Sequence, residues 1–279
     1  MIVDAHVHVW SDDVASYPWQ PILAHVPPPT LHAPVERLLA DMERAGVDRA
    51  VLVQPSVYGW DNRYLMTCLA RDPRRFTGIC LIDPLSTTPR QDLERWCGEG
   101  GCVGLRLNTI RQGPLDWLLG DRQRPLITAL ERLGLSLSFH MDIGQAPVVA
   151  RLAERHPDLV IIIDYLGPTV HADPAAIHLV EQLALRPQIH VKLLCVAEDA
   201  RTPYPFPDIA PFYRAVLERF GARRVMFGSD YPGACTVCPY EDTVAWVAGF
   251  PGLDEEGRGE VLGGTAARAF GLTNDAAVR

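Results

Sequence analysis

No apolar run in the 279 residues approaches the roughly 18 needed to cross a bilayer, so no membrane-spanning helix is expected. The first residues lack a basic segment followed by an apolar core. No secretory leader is therefore read, and a cytoplasmic location is the expectation. Positive charge is also short: 26 Lys and Arg against 34 Asp and Glu leave a formal net charge of −8. That balance argues against a nucleic-acid or anionic-membrane partner, since both need clustered Lys and Arg. It leaves room for an acidic small molecule held by a few local arginines. The seven cysteines are scattered and odd in number, which suits a reducing compartment better than a disulfide framework. There is no internal repeat and no long linker. No Gly-x-Gly-x-x-Gly follows the first apolar run, so dinucleotide binding has no support.

What the chain does contain is a regular alternation. Short β-type runs lie at Ile2–Val9, Arg49–Gln54, Phe76–Ile82, Cys102–Leu107, Leu135–His140, Leu159–Asp164, His190–Leu194 and Val225–Gly228. Between them are stretches with apolar spacing near 3.6: Val35–Ala45, Asn62–Ala70, Gln91–Cys97, Arg124–Leu133, Pro147–Arg155, Ala175–Ala184 and Ile209–Phe220. Eight strands alternating with helices predict an α/β fold, a closed (β/α)8 TIM barrel. It is read as one domain over residues 1–273, with a loose tail at 274–279. Two Pro-rich stretches, Tyr17–Pro34 and Thr202–Pro211, follow strands 1 and 7. Loops at strand C-terminal ends build the active sites of such barrels, although these two could also be stiff connections.

Ligand-type residues recur at those strand ends. In a strand, His6 and His8 project to the same side, and two neutral imidazoles can hold one metal ion. An isolated His-x-His pair is as easily structural. Here, however, strand 5 ends in His140, and strand 8 leads into Asp230 through Val225-Met-Phe-Gly-Ser-Asp230. Three imidazoles and a carboxylate at one barrel mouth are a suitable set for a divalent ion with an open position for water.

Several motifs in order then carry a family likeness. They are His6-Val-His8-Val-Trp10, Tyr17-Pro-Trp19, Val53-Gln-Pro-Ser-Val-Tyr58-Gly-Trp-Asp61-Asn62 and Gly104-Leu-Arg106-Leu-Asn108. Ile163-Asp-Tyr-Leu-Gly167, Val191-Lys192-Leu and Gly228-Ser-Asp230-Tyr-Pro232 continue the series. Together, from residue 1 to about residue 270, they resemble the amidohydrolase superfamily. More narrowly they resemble its amidohydrolase-2 branch, which holds sugar-acid lactonases, 2-pyrone-4,6-dicarboxylate lactonase and non-oxidative decarboxylases. The resemblance implies a metal site of His6, His8, His140 and Asp230, with Asp230 as the proton shuttle and His140 in the catalytic set. Zinc is the expected ion and manganese the alternative. Some lactonases of this branch work without metal, so a metal-free route through Asp230 and arginines stays open.

One departure concerns strand 6, where relatives carry Asp-His-x-Gly and this chain has Asp164-Tyr165-Leu-Gly167. Tyr165 could donate a hydrogen bond to an oxyanion, but with a pKa near 10 it is a poor base at neutral pH. His171 is a possible substitute. Arg106 is the expected holder of a substrate carboxylate, with a structural ion pair as the other reading. Lys192, pointing into a barrel, needs an anion, supplied by the protein or by the substrate. Tyr58 and Asn62 either line the pocket or brace the loop after strand 2. Trp10, with Trp19 and Trp60, could wall the pocket or simply pack. Cys195 ends strand 7, and Cys235-Thr-Val-Cys238 has no second half for a zinc site; these are read as tolerated thiols near the mouth.

The expected activity is therefore hydrolysis of a small carboxylated or hydroxylated lactone by metal- or Asp230-activated water. A metal-dependent decarboxylase of an aromatic or unsaturated acid is the first alternative, disfavoured by Tyr165. A catalytically inactive barrel that only binds is the second. Barrel enzymes often dimerise, but no exposed periodic stripe in the sequence marks an interface.

Overall fold

The computed structural model describes residues 1–22, 27–99, 101–110, 112–166, 174–194 and 200–272. Eight parallel strands run β1 Val3–Val7, β2 Arg49–Val53, β3 Phe76–Leu81, β4 Cys102–Asn108, β5 Ser136–His140, β6 Ile161–Tyr165, β7 Ile189–Leu194 and β8 Val225–Gly228. They pair in chain order β1 to β8. A bridge between Val7 and Tyr231, just beyond β8, brings the last strand back to the first. This is the (β/α)8 barrel that the alternation predicts.

Helices α1 Val35–Ala45, α2 Arg63–Arg71, α3 Pro89–Glu94, α4 Arg124–Arg132, α5 Ala146–Arg155, α6 Pro174–Ala184 and α7 Ala210–Phe220 follow the strands in turn. The first shows why: Val35, Leu38 and Met42 fall on one buried face, the spacing that packs a helix onto a sheet. It stops at Gly46, whose φ of 68° puts the backbone in the left-handed region and lets its N–H cap Glu43 and Met42. Further helices, α8 Tyr240–Ala248, α9 Glu255–Gly259 and α10 Thr265–Ala269, had no counterpart in the sequence reading.

Two apolar cores result. The larger fills the space between sheet and helices. The smaller lies inside the barrel, where Val3, Ala5, Val51, Val53, Ile79, Ile162 and Met226 meet Phe270 and Leu272 from the end of the described chain. That apolar plug occupies the floor, so the polar interior residues collect towards the strand C-termini.

The first strand does not keep a simple alternation. Asp4 pairs with Ala50 but Val7 pairs with Leu52, so β1 carries one residue more than β2 over this interval. Such a bulge changes which side the following side chains face. Val3 and Ala5 point into the barrel core. Past the bulge His6 and His8 face inward too, their rings meeting each other and residues from β6, from β7 and from the segment just beyond β8. The Asp4 carboxylate accepts the His6 N–H at 3.1 Å and so satisfies a donor within the irregular stretch.

Candidate active site at the barrel seam

The seam between β8 and β1 positions the site. His6 C=O accepts the Asp230 N–H at 3.0 Å, and Tyr231 C=O accepts the His8 N–H at 2.7 Å. These bonds lay Asp230 directly against the His-x-His segment. Asp230 itself has φ 57°, a conformation that non-glycine residues seldom adopt and Asp tolerates better than most. Asp4 ties the two strands from behind, accepting Ser229 N–H at 2.9 Å and the Tyr240 hydroxyl at 2.8 Å as well as His6. It is fully buried. Burial raises its pKa, opposed by the hydrogen bonds from Ser229, Tyr240 and His6.

Among the described residues, His6, His8 and Asp230 bring their donor atoms within 4.8 Å of one another. His6 Nε2 and His8 Nε2 are 3.2 Å apart. Asp230 Oδ1 lies 3.6 Å from the first and 3.5 Å from the second. Ligands bound tetrahedrally at zinc distances stand about 3.3–3.5 Å apart, so this triangle fits a divalent ion. His8 Nδ1 is 2.7 Å from Val53 C=O; as the donor there, it leaves Nε2 unprotonated and turned to the triangle. Burial lowers the His6 pKa well below its ordinary value and takes His8 down to about 3, with Arg106 adding to the effect on His8. Both imidazoles are thus neutral at pH 7, the form that ligates.

His140 closes β5 and is not one of that triangle. Burial, then the charge of Arg106, lowers its pKa to about 3. It is a neutral imidazole at the same mouth.

Below the triangle lies a carboxylate to which the sequence reading gave no role. Asp164, fully buried on β6, has Lys192 Nζ 2.7 Å from Oδ1 and Arg106 Nε 3.0 Å from Oδ2. Lys192 Nζ also stands 3.1 Å from His6 Nδ1. Burial alone would push the Asp164 carboxyl up, but Lys192, His6 and Arg106 hold it well below the usual carboxylate range. The anion that Lys192 requires is therefore a protein side chain. Arg106 shares that anion and also lines a cavity of about 190 Å³ with Asn108, Thr109 and Gln112. A lone Asp ending the apolar run Ile161-Ile-Ile-Asp164 was the signal that could have found this residue.

Tyr58 is buried beside Trp19 and accepts Ser11 N–H at 2.7 Å. Asn62 is fully buried, its amide meeting Leu81 C=O and N–H at 2.8 and 3.0 Å and Trp60 C=O at 3.1 Å. Trp10 donates its indole N–H to Leu31 C=O at 2.6 Å. Each of these contacts braces a loop of the mouth. Burial raises the Cys235 and Cys238 thiols to about 12 and about 11, so neither is a ready nucleophile. The Tyr165 side chain, His171, Cys195 and the tail at 274–279 lie outside the described residues.

An amidohydrolase family model matches residues 3–272. The chain belongs to the amidohydrolase family. Among curated relatives of this amidohydrolase, the L-fucono-1,5-lactonase of Burkholderia ambifaria is 29% identical, over 96% of this chain and 94% of that protein. A putative 2-pyrone-4,6-dicarboxylic acid hydrolase from Pseudomonas putida superposes with a TM-score of 0.80 at 27% identity, covering 98% of both chains. An amidohydrolase from Burkholderia multivorans with bound zinc gives a TM-score of 0.80 at 21% identity, covering 98% of this chain and all of that one (100%). At that identity the last likeness is one of fold.

Proposed function

We propose that this amidohydrolase opens a small lactone, a cyclic ester carrying carboxylate or hydroxyl groups, by addition of water. The observation that carries the reading is the seam triangle of His6, His8 and Asp230, with donor atoms 3.2–3.6 Å apart, in a chain whose relatives include a lactonase. His6, His8 and Asp230 would hold a divalent ion, zinc or manganese, and His140, at the C-terminal end of β5, adds a further neutral imidazole to the barrel mouth. Such an ion, when bound, makes water acidic near neutral pH and polarises a carbonyl oxygen.

The chain's own residues do the rest. As the water oxygen bonds to the lactone carbonyl carbon, Asp230 takes one proton from it. When the ring C–O bond breaks, Asp230 returns that proton to the departing ring oxygen, giving a hydroxy acid and restoring the carboxylate. His140, held neutral, orients the carbonyl. Arg106 faces the adjoining cavity with Asn108, Thr109 and Gln112, a donor-rich wall suited to a carboxylate or to hydroxyls. Asp164 fixes Arg106 and Lys192 in place beneath them.

The test is direct. The protein is incubated with a sugar-acid 1,5-lactone and with a 2-pyrone carboxylate, and acid release is followed with a pH indicator. Turnover is expected, with Asp230→Asn lowering kcat by about 10²–10⁴-fold. Carbon dioxide released from an aromatic acid, with lactones untouched, would transfer the reading to a decarboxylase. A biological role that survives alanine at all of His6, His8, His140 and Asp230 would leave only a binding protein.

A further inference from the structure

Beside the catalytic mouth lie two cavities with a common wall. The smaller, of about 190 Å³, is the one that Arg106 lines. The larger is an open cleft of about 720 Å³ lined by Asp61, Arg63, Arg95 and Trp96 among others. Ile22 and Trp60 line both.

The wall is a built feature. Gln20 N–H donates to Val57 C=O at 2.8 Å and Ile22 N–H to Ser56 C=O at 3.2 Å, pinning the loop after β1 to the loop after β2. Gly59 permits the approach: its φ is +58°, and a Cβ there would fall 2.4 Å from Gln20 O. On this support Trp60 presents an indole that is 40% exposed.

The cleft lining also carries charge, from Asp61, Arg63 and Arg95. Arg95 and Trp96 begin the wide helical turn Arg95–Glu99 that continues α3. The Arg95 guanidinium sits 4.6 Å from the Trp96 ring centroid, in cation–π contact. The two arginines of the cleft are not equivalent. Arg63 is clamped on Asp61, Nε 2.9 Å from both carboxylate oxygens and Nη2 2.6 Å from Oδ2, so its charge is matched within the protein. Asp61 is held below the ordinary carboxylate range first by hydrogen bonds from Arg63 and, more weakly, by the charge of Arg95. Arg95 itself pairs with no carboxylate among the described residues.

We propose that this cleft is a second small-molecule site, taking a carboxylated ring compound beside the catalytic mouth. The ring stacks on indole and the carboxylate meets Arg95, whose planar fork matches its geometry. The inference deepens the lactonase reading, on which it rests only for naming the natural ligand: the acidic ring substrate, captured before it passes Trp60 into the mouth. A cationic capture site also offsets the protein's net charge of −8, which otherwise repels an acid from the surface.

The probe is phthalate, a ring dicarboxylate with no ester bond to hydrolyse, titrated by calorimetry and by tryptophan fluorescence. Saturable binding is expected, weakened about tenfold or more in Arg95→Ala and further in Arg95→Glu, and retained in Asp230→Asn. Arg95 is exposed, so neither variant disturbs the core, and far-UV circular dichroism checks this. In turnover, the kcat/KM ratio of a carboxylated to an uncharged lactone should fall by a similar factor in Arg95→Ala. Phthalate affinity unchanged in Arg95→Glu, or no saturation at millimolar concentration, overturns the site. If no lactone is turned over at all, the lactonase reading falls while the phthalate titration still decides the cleft.

Discussion

Replacing Asp164 by Asn tests the electrostatic floor of the site most sharply. The amide keeps the shape of the carboxylate and removes its charge, leaving Lys192 and Arg106, both nearly inaccessible, without their shared anion. Breaking a buried ion pair by removing one partner costs about 3–5 kcal/mol, because the other charge remains desolvated and uncompensated. For a domain of this size that corresponds to a fall in Tm of roughly 6–20 °C. The assay is thermal unfolding followed by circular dichroism at pH 7. Adding Lys192→Met to the Asn variant removes one stranded cation and should recover part of the loss, a non-additivity that a structural cavity would not produce. The pH dependence has a definite sign. The folded pKa of Asp164 is depressed, so its stabilisation is complete above the unfolded value of about 3.9 and is lost as pH falls through the folded value. Wild type and Asn variant should therefore converge only below about pH 4. A variant within about 2 °C of wild type at pH 7, against the range expected for a stranded charge, would refute the claim that Asp164 neutralises the two cations.

Two further outcomes bear on the triangle and its support. Wild-type protein should carry about one equivalent of zinc or manganese by elemental mass spectrometry, and His8→Ala only a small fraction of that. Dialysis against dipicolinate should abolish activity and added zinc restore it; a metal-free wild type that stays fully active would leave the chemistry to Asp230 and the cationic residues. Asp4→Ala strands His6 N–H, Ser229 N–H and the Tyr240 hydroxyl, and is expected to lower kcat by about 10–100-fold with little change in KM. Tyr240→Phe removes one of those bonds at a cost of about 1.5–3 kcal/mol. Unaltered kcat in Asp4→Ala would mean that the seam holds Asp230 in place without that carboxylate.

The strand series, the seven helices between them and the strand-end residues His6, His8, His140 and Asp230 were readable from sequence because the information is local. Hydrophobic period and a few adjacent residues specify a strand and the side chain that ends it. The helices near the end of the chain were missed, among them Tyr240–Ala248, whose apolar residues are not confined to one stripe. Residues whose roles depend on distant partners could not be read in this way. Asp164 meets a lysine 28 positions later and an arginine 58 positions earlier, and Asp4 meets Tyr240 across nearly the whole chain. Arg106 and Lys192 were recognised as needing an anion, but only the closed barrel decided that Asp164 is the anion they share. Likewise the His-x-His spacing determined that the two rings share a side. The bulge at Ala5 and His6, set by pairing with β2, decided that the side is the barrel interior. Sequence supplied the ligand types. Barrel closure, which brings β8 back to β1, drew the donor atoms of His6, His8 and Asp230 within 4.8 Å of one another.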